Sequence, residues 1–252
     1  MSNVIATEFM KLRRSKVLLY VILAGCIPSL VKFLQQVLGE DRDKVRWEWF
    51  IAQNREIMVY CMFTVLVLTS SFVFSLEYKY GTVSCIFTSS ISRIKIYISK
   101  MLSLFAMLLL LFVISACADL LLGFIAFGKG MPSDLMLAFV KTTAFYIVSY
   151  FLLSTIVVMV VILLKRFVLS VVVVMGYLML VFPFHLKYSP YILPFMTPAF
   201  VATKIFGNDN YIFYKGYSGF SLDFFEVVVF LVVLAAVSVM VGLSRYAKQE
   251  VG

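Results

Sequence analysis

Six long apolar segments, each of roughly 20 residues, run through this chain of 252 residues. That length carries an α-helix across about 30 Å of hydrocarbon. A soluble fold would need polar cover around all six segments, yet only 14% of the residues are charged and 63% are hydrophobic. The sequence therefore predicts an all-α, polytopic membrane protein with six transmembrane helices, at residues 17–38, 57–76, 96–118, 142–164, 167–184 and 224–243.

Basic residues are distributed unevenly between the two sides of such a bundle. Six spans place both termini on one side, here called the terminal side, where twelve of the 22 lysines and arginines lie: Lys11, Arg13, Arg14, Lys16, Lys79, Arg93, Lys95, Lys100, Lys165, Arg166, Arg245 and Lys248. Cytoplasmic loops are rich in lysine and arginine, so both termini are expected to be cytoplasmic. Anionic lipid then accounts for the formal net charge of +9 without a nucleic-acid partner.

The sequence offers little for bond chemistry. It contains a single histidine, His185, and four cysteines without C-x-x-C spacing, which are expected to be small buried side chains: Cys26, Cys61, Cys85 and Cys117. Gly123 to Lys129 has the G-x-x-x-x-G-K spacing of a phosphate loop, but Gly130 follows instead of Ser or Thr, and an apolar helix precedes it. The sequence therefore predicts no catalytic, cofactor-binding or metal site, and no enzyme activity.

Four charged side chains lie at those ends of the spans that face away from the termini, where snorkelling is expected: Lys32, Asp119, Lys141 and Glu226. No Asp, Glu or His falls at the predicted midplane, which argues against a proton relay. Trp47 and Trp49 precede the second span and are expected to anchor it in the aromatic belt.

Residues 1–16 form an amphipathic pattern, with Met1, Val4, Ile5, Phe9 and Leu12 on one helical face. Such a segment is predicted to be a helix in the inner membrane interface. Glu8 intrudes on the apolar face. It either snorkels or pairs with a basic group of the adjacent cytoplasmic loop.

The connection from Glu77 to Lys95 is longer than a helix hairpin needs. Gly81 and Thr82 offer a break and a cap, and the apolar residues Val83, Ile86 and Phe87 then recur at helical spacing. This pattern predicts a short helix over 81–91 whose apolar face either docks a partner or rests on lipid. Ser92 is expected to cap the third span, and Arg93, Lys95 and Lys100 to anchor its start.

On the other side of the membrane, four of the six prolines crowd into 16 positions that stay apolar around the start of segment 185–223: Pro183, Pro190, Pro194 and Pro198. A continuous helix is excluded there. The segment is predicted to form a re-entrant helical hairpin that dips into the outer leaflet.

Two motifs on the terminal side resemble those of type-2 ABC transporter permeases, and the six-helix plan is similar along the whole chain. The first is the basic segment 8–16, Glu-Phe-Met-Lys-Leu-Arg-Arg-Ser-Lys. The second is an E-x-x-x-G-T stretch followed by S-R and a lysine, at Glu77, Gly81, Thr82, Ser92, Arg93 and Lys100.

The resemblance implies that residues 81–91 are the coupling helix that seats in a separate ATPase subunit, and that residues 1–16 are an elbow helix. The implied coupling residues are Glu77, Gly81, Thr82, Val83, Ile86, Phe87, Ser92 and Arg93, and those of the elbow are Glu8, Lys11, Arg13 and Arg14. Two ATPase subunits would bind ATP and Mg, and a second permease copy would complete a homodimer in a bacterial cell membrane.

Among subfamilies, the chain looks most like permeases of lantibiotic-immunity, bacitracin-resistance and phenol-soluble-modulin export systems, which implies an amphipathic or antimicrobial peptide as cargo. Aromatic side chains of the first, second and fifth spans either line a cavity for it or simply pack, at Phe33, Phe63, Phe74, Phe182 and Phe184. The alternatives are a permease for lipid, polymer or ion cargo, or a channel or membrane sensor without an ATPase.

Overall fold

The computed structural model describes residues 6–8, 10–12, 16–38, 47–79, 92–185, 194–195, 198 and 224–247. These residues are helical or lie in turns and short connections, with no strand among them. The main helices are α1 (Val17–Leu38), α2 (Trp47–Lys79), α3 (Arg93–Phe127), α4 (Ser133–Leu164), α5 (Phe167–His185) and α6 (Phe224–Ala247). Residues 6–8 and 10–12 are helical as well.

Among the described residues, four helical stretches are long and apolar enough to cross a membrane: Val17–Gln35, Arg93–Phe127, Ser133–Leu164 and Phe225–Ala247. Shorter apolar stretches occupy Cys61–Leu76 in α2 and Phe167–Leu180 in α5. The chain is therefore a multi-pass membrane protein. Each of the six predicted segments lies within one helix, and the crossing of all six stays a prediction.

Three helices run well beyond the apolar segments predicted for them. The 35 residues of α3 make a rod of about 52 Å, which is longer than the hydrocarbon layer is thick. Helix α2 begins with polar turns, whereas α3 and α4 extend beyond Asp119 and Lys141 through mostly apolar turns. Neither a polar turn nor a single charged residue interrupts the backbone hydrogen bonding of a helix.

The centre of the bundle is formed by α2, α3 and α4. Helix α1 packs on α2 and α3, α5 on α2 and α4, and α6 on α4 and α3. The buried core includes Leu66, Leu104, Leu111, Val157 and Val161, whereas the outward faces of α1, α5 and α6 carry many exposed apolar side chains. Such faces suit contact with lipid.

At the end of the bundle opposite the termini, here called the far end, aromatic side chains close the gap between α2 and α3. Trp47 is buried against Phe50 and Phe127, and its indole N–H donates to the Lys129 carbonyl at 3.2 Å. A Cβ atom on Gly123 would lie 2.3 Å from the Trp47 ring, so only glycine fits there. The expectation that Trp47 anchors in the aromatic belt is therefore wrong, since its ring packs inside the protein.

The glycine motif near the far end is a helix terminus. Gly123 lies within α3, and Gly128 adopts a left-handed conformation with φ of 63° while its N–H bonds the Phe124 carbonyl at 2.9 Å. Glycine is favoured at such a C-terminal cap because it has no Cβ. The sequence spacing that mimics a phosphate loop is explained by this cap and by the contact with Trp47.

The segment 185–223 lies largely outside the described residues. Phe195 is buried, and its ring centroid lies 4.5 Å from that of Phe63, halfway along α2. Phe195 thus reaches the interior of the bundle. The re-entrant hairpin as a whole stays a prediction.

Candidate functional site

Lys100 is a buried lysine two turns into α3, with only 1% of its surface exposed. Its Nζ donates a hydrogen bond to the Val73 carbonyl of α2 at 3.0 Å and lies 5.6 Å from the centre of the Phe74 ring. A buried ammonium is costly unless it is hydrogen-bonded and paired with a negative charge. The local structure supplies both, together with a cation–π contact.

Glu8 supplies the negative charge. Glu8 is buried, with 6% of its surface exposed. Its Oε2 atom lies 3.9 Å from Lys100 Nζ, and its Oε1 atom accepts a hydrogen bond from Lys11 Nζ at 2.6 Å. The Lys11 side chain is half exposed, so the carboxylate lies between a surface cation and a buried one. Leu12, four residues beyond Glu8, is also buried, which docks the N-terminal segment on the bundle.

Of the two roles considered for Glu8, the structure favours pairing over snorkelling. The basic partner lies in α3, two turns beyond the loop where it was expected. Lys100 was expected from the sequence to anchor the start of α3 at the interface, and it also matches the lysine of the permease motif. Hydropathy could not reveal its burial, because the acceptor is a main-chain carbonyl of another helix and the carboxylate is 92 positions away in the sequence.

The first turn of α3 is also joined to the end of α6. Arg93 Nη1 donates to the carbonyl of Ala247, the last residue of α6, at 2.6 Å. One turn further on, the Tyr97 ring lies 5.9 Å from Tyr246 and 5.7 Å from Phe74. A guanidinium at a helix C-terminus donates to a carbonyl that has no partner within the helix, and it interacts favourably with the negative end of the helix dipole.

Ser92 occupies the N-cap position of α3, as expected, but without the side-chain hydrogen bond of a serine cap. Its carbonyl instead accepts bonds from the N–H groups of Lys95 and Ile96 at 2.9 and 3.3 Å. The predicted capping role of its hydroxyl is therefore wrong, although the predicted helix start is close.

These contacts define a terminal-end junction, formed by Glu8, Val73, Arg93, Lys100 and Ala247. It joins the N-terminal segment, α2, α3 and α6 at the point where the chain enters α3. Its polar groups hold helices together and present no nucleophile or proton relay. Its chemistry suits the transmission of force between helices.

The other residues predicted to couple the chain to a partner lie mostly outside the described residues: Gly81, Thr82, Val83, Ile86 and Phe87, with Arg13 and Arg14 of the N-terminal segment. Glu77 lies in the last turn of α2, and its side chain is not among those described. The helix predicted over 81–91 stays a prediction.

The candidate cavity aromatics divide into three groups. Phe63 and Phe74 are buried, against Phe195 and against Tyr97 with Lys100, respectively, which fits ordinary packing. Phe33 is half-buried on α1. The side chains of Phe182 and Phe184 fall outside the described part of α5.

Asp119 does not snorkel. It is 2% exposed and accepts a hydrogen bond at 2.5 Å from the hydroxyl of Ser29, which lies in the middle of α1. Hydropathy placed Asp119 just past the end of a span, but α3 continues to Phe127 and holds the carboxyl against α1. Lys141 and Glu226 are exposed, as snorkelling requires.

Cysteines and acids add no metal chemistry in the part of the chain that the structure describes, where no group of three or more His, Cys, Asp or Glu could hold a metal ion. Cys26, Cys61 and Cys117 are free thiols, and Cys85 lies outside that part. Cys26 and Cys61 are only partly buried and Cys117 is exposed, which corrects the expectation that these cysteines are buried.

Comparison with known families agrees with the sequence motifs. A family model described as "ABC-2 family transporter protein" matches residues 4–181, which is more than half of the chain. The chain therefore belongs to the ABC-2 transporter family, whose permeases form the membrane-spanning part of ABC transporters and work with an ABC ATPase subunit. No curated protein sequence matches the chain.

The match extends from the N-terminal segment to α5 and includes all of the terminal-end junction except Ala247. The predicted resemblance to ABC-2 permeases is thereby confirmed. The finer resemblance to peptide-immunity and peptide-export permeases stays a prediction.

Proposed function

We propose that this chain is the permease subunit of an ATP-driven exporter that moves amphipathic peptides out of the cell or membrane. Two copies pair with two separate ATPase subunits, which bind ATP and Mg. Both termini and the segment 81–91 lie in the cytoplasm. The proposal draws on family membership and, above all, on the terminal-end junction, because its polar ties converge on the start of α3.

In this proposal, force from an ATPase reaches the bundle through the terminal-end junction. Segment 81–91 connects the end of α2 to the start of α3, so a partner seated on it pushes both helices. The Lys100 contact with the Val73 carbonyl keeps α2 and α3 together during this push, and Glu8 carries it to the N-terminal segment.

Helix α6 follows through a second route. The Arg93 bond to the Ala247 carbonyl joins the first residue of α3 to the last of α6, which also packs along α4. Movement of one short cytoplasmic segment is thus distributed to helices on both flanks of the bundle. Such rigid-body rearrangement is how a small displacement at one site reorients spans around a cavity.

Polar ties suit this task because their geometry is discrete. Separating Lys100 from Glu8 and the Val73 carbonyl would leave a buried charge without compensation, at a cost of about 3–5 kcal/mol. Apolar contacts between the same helices would resist sliding much less specifically. The junction therefore moves as one piece.

The first test is the partner itself. The full chain, solubilised from its own cell, should co-purify with an ABC ATPase, and Phe87→Glu should release it by placing a charge on the predicted docking face. Thr88→Glu introduces the same charge on the predicted opposite face and is the matched control. Retention of the ATPase by the Phe87→Glu variant would sink the assignment of segment 81–91.

The second test concerns the cargo. A synthetic amphipathic Leu–Lys helix peptide should stimulate ATP hydrolysis by the purified complex, whereas a scrambled peptide of the same composition should not. If the ATPase is bound but responds to neither peptide, the result would favour a permease whose cargo is a lipid, a polymer or an ion. Absence of any ATPase from the intact chain would favour a channel or sensor.

A further inference from the structure

Helix α1 is joined to α3 within the membrane, far from the terminal-end junction. Ser29 is fully buried and donates its hydroxyl to Oδ1 of Asp119 at 2.5 Å. Ser29 lies about 18 Å along α1 from Val17, within the apolar membrane-spanning stretch Val17–Gln35. A carboxyl at this depth is expensive and calls for a partner of opposite charge.

The backbones of the two helices are also unusually close one turn before Ser29. A Cβ atom on Gly25 would lie 3.1 Å from Cγ2 of Ile114 and 3.2 Å from the Leu111 carbonyl oxygen. Gly25 and Ser29 thus form a pair of small residues one turn apart, which lets membrane helices approach closely. The hydrogen bond to Asp119 continues this seam.

Lys32 extends the same face of α1. It lies three residues after Ser29, where Cβ atoms on one face are about 5–6 Å apart, so its long side chain can reach a carboxylate bonded to Ser29. Its neighbours Leu30 and Val31 are exposed toward lipid, whereas Lys32 is half-buried. Lys32 is thus better shielded than either of these two neighbours.

We propose that Lys32 and Asp119 form an intramembrane ion pair which, together with the Ser29 hydrogen bond, fixes α1 to α3 so that the two helices move as one unit. All three are positioning residues. They hold helices in register and act on cargo only through that register.

This inference deepens the proposed function and rests on it for its role in transport. Asp119 lies about 28 Å along α3 from Lys100, where Glu8 makes the other tie to the N-terminal segment. The N-terminal segment and α1 are thus attached to α3 at two distant points. When an ATPase displaces the start of α3, α1 follows, and the rearrangement takes place at the other helix interfaces.

A disulfide across the seam tests the single-unit motion directly. The ideal Cβ of Gly25 lies 3.4 Å from Cβ of Ile114, close to the separation of about 3.5–4.5 Å found in disulfides. The variant carries Gly25→Cys and Ile114→Cys with the four native cysteines replaced by alanine. It is purified with its ATPase in vesicles of phosphatidylethanolamine and phosphatidylglycerol, and ATP hydrolysis is measured before and after oxidation.

The oxidised complex should hydrolyse ATP at the rate of the reduced complex. If α1 and α3 move together, a disulfide between them does not restrict any movement that hydrolysis requires. A loss of hydrolysis on oxidation that reductant restores would overturn the inference, since it would show that α1 and α3 must separate. A reduced variant that folds but binds no ATPase would contradict the proposed function, which separates the two failures.

Charge reversal tests the ion pair even if the cysteine variant does not fold. Lys32→Asp and Asp119→Lys should each lower the melting temperature of the purified permease, and their combination should recover most of the loss. Lys141→Asp reverses an exposed lysine and is the matched control. If the loss of stability in the double variant equals the sum of the two single losses or exceeds it, the inferred ion pair is overturned.

Discussion

The two ends of the bundle are held together by different interactions. At the terminal end, Lys100 and Arg93 bond main-chain carbonyls of α2 and α6, and Glu8 adds a charge contact. At the far end, rings of Trp47 and its aromatic neighbours fill the space between α2 and α3. Polar ties have one good geometry, whereas apolar packing depends on filled volume. In the proposed function, the terminal end transmits movement, whereas the packed rings of the far end close the bundle.

The largest effect is expected at Lys100. Replacing it by methionine keeps the length of the side chain but leaves the Val73 carbonyl without this donor and Glu8 with the Lys11 contact. The loss should be about 3 kcal/mol, or about 6–12 °C in melting temperature for a chain of this size. Thermal unfolding of the purified permease measures it.

Glu8→Gln added to Lys100→Met is the control for charge. Because glutamine leaves no uncompensated carboxylate, the double variant should be more stable than the sum of the single losses predicts. Strict additivity would show that the two side chains do not interact, and a Lys100→Met variant as stable as wild type would remove the terminal-end junction from the account.

A smaller effect is expected at the far end, and it should depend on volume. Gly123→Ala forces a Cβ into the Trp47 ring and should cost about 1–3 kcal/mol by overpacking. Trp47→Phe removes the crowded ring atoms and should offset part of that cost. Gly130→Ala meets open space and should leave the melting temperature unchanged. If alanine is tolerated at 123 without loss, the packing described for the far end is incorrect.

The smallest effect concerns the tie between α3 and α6. Arg93→Gln should remove the bond to the Ala247 carbonyl at a cost of about 1 kcal/mol, since the contact is solvent-exposed. Lys95 lies two residues after Arg93 and its side chain is exposed. Lys95→Gln removes the same charge there and is the control. Equal melting temperatures for the two variants would mean that Arg93 contributes only its charge.

Hydropathy predicted much of the fold. A helix in the membrane makes its backbone hydrogen bonds internally and carries apolar side chains, so it is visible in the sequence as a long apolar run. The start and end predicted for α1 agree with the helix. The extra turns of α2 were missed because polar residues continue a helix without leaving a hydropathy signal, and those of α3 and α4 because the predicted spans stop at Asp119 and Lys141 although mostly apolar residues continue beyond them.

The site was less predictable than the fold. Motif spacing pointed to Glu8, Arg93 and Lys100, but their partners are a carbonyl of α2, a carbonyl of α6 and a charge from a distant segment. The Ser29 contact with Asp119 joins residues 90 positions apart. Contacts of this kind depend on which faces of two helices meet, and one sequence does not contain that information.

The central claim is that the terminal-end junction couples the ATPase to the bundle. The most direct measurement compares ATP hydrolysis, with and without the amphipathic Leu–Lys peptide, for complexes carrying Lys100→Met or Gly123→Ala. We expect the ATPase subunit to remain bound in the Lys100→Met complex while its stimulation by the peptide is lost. In the Gly123→Ala complex, the subunit should stay bound and the stimulation should be retained. A full peptide response from the Lys100→Met complex would contradict it.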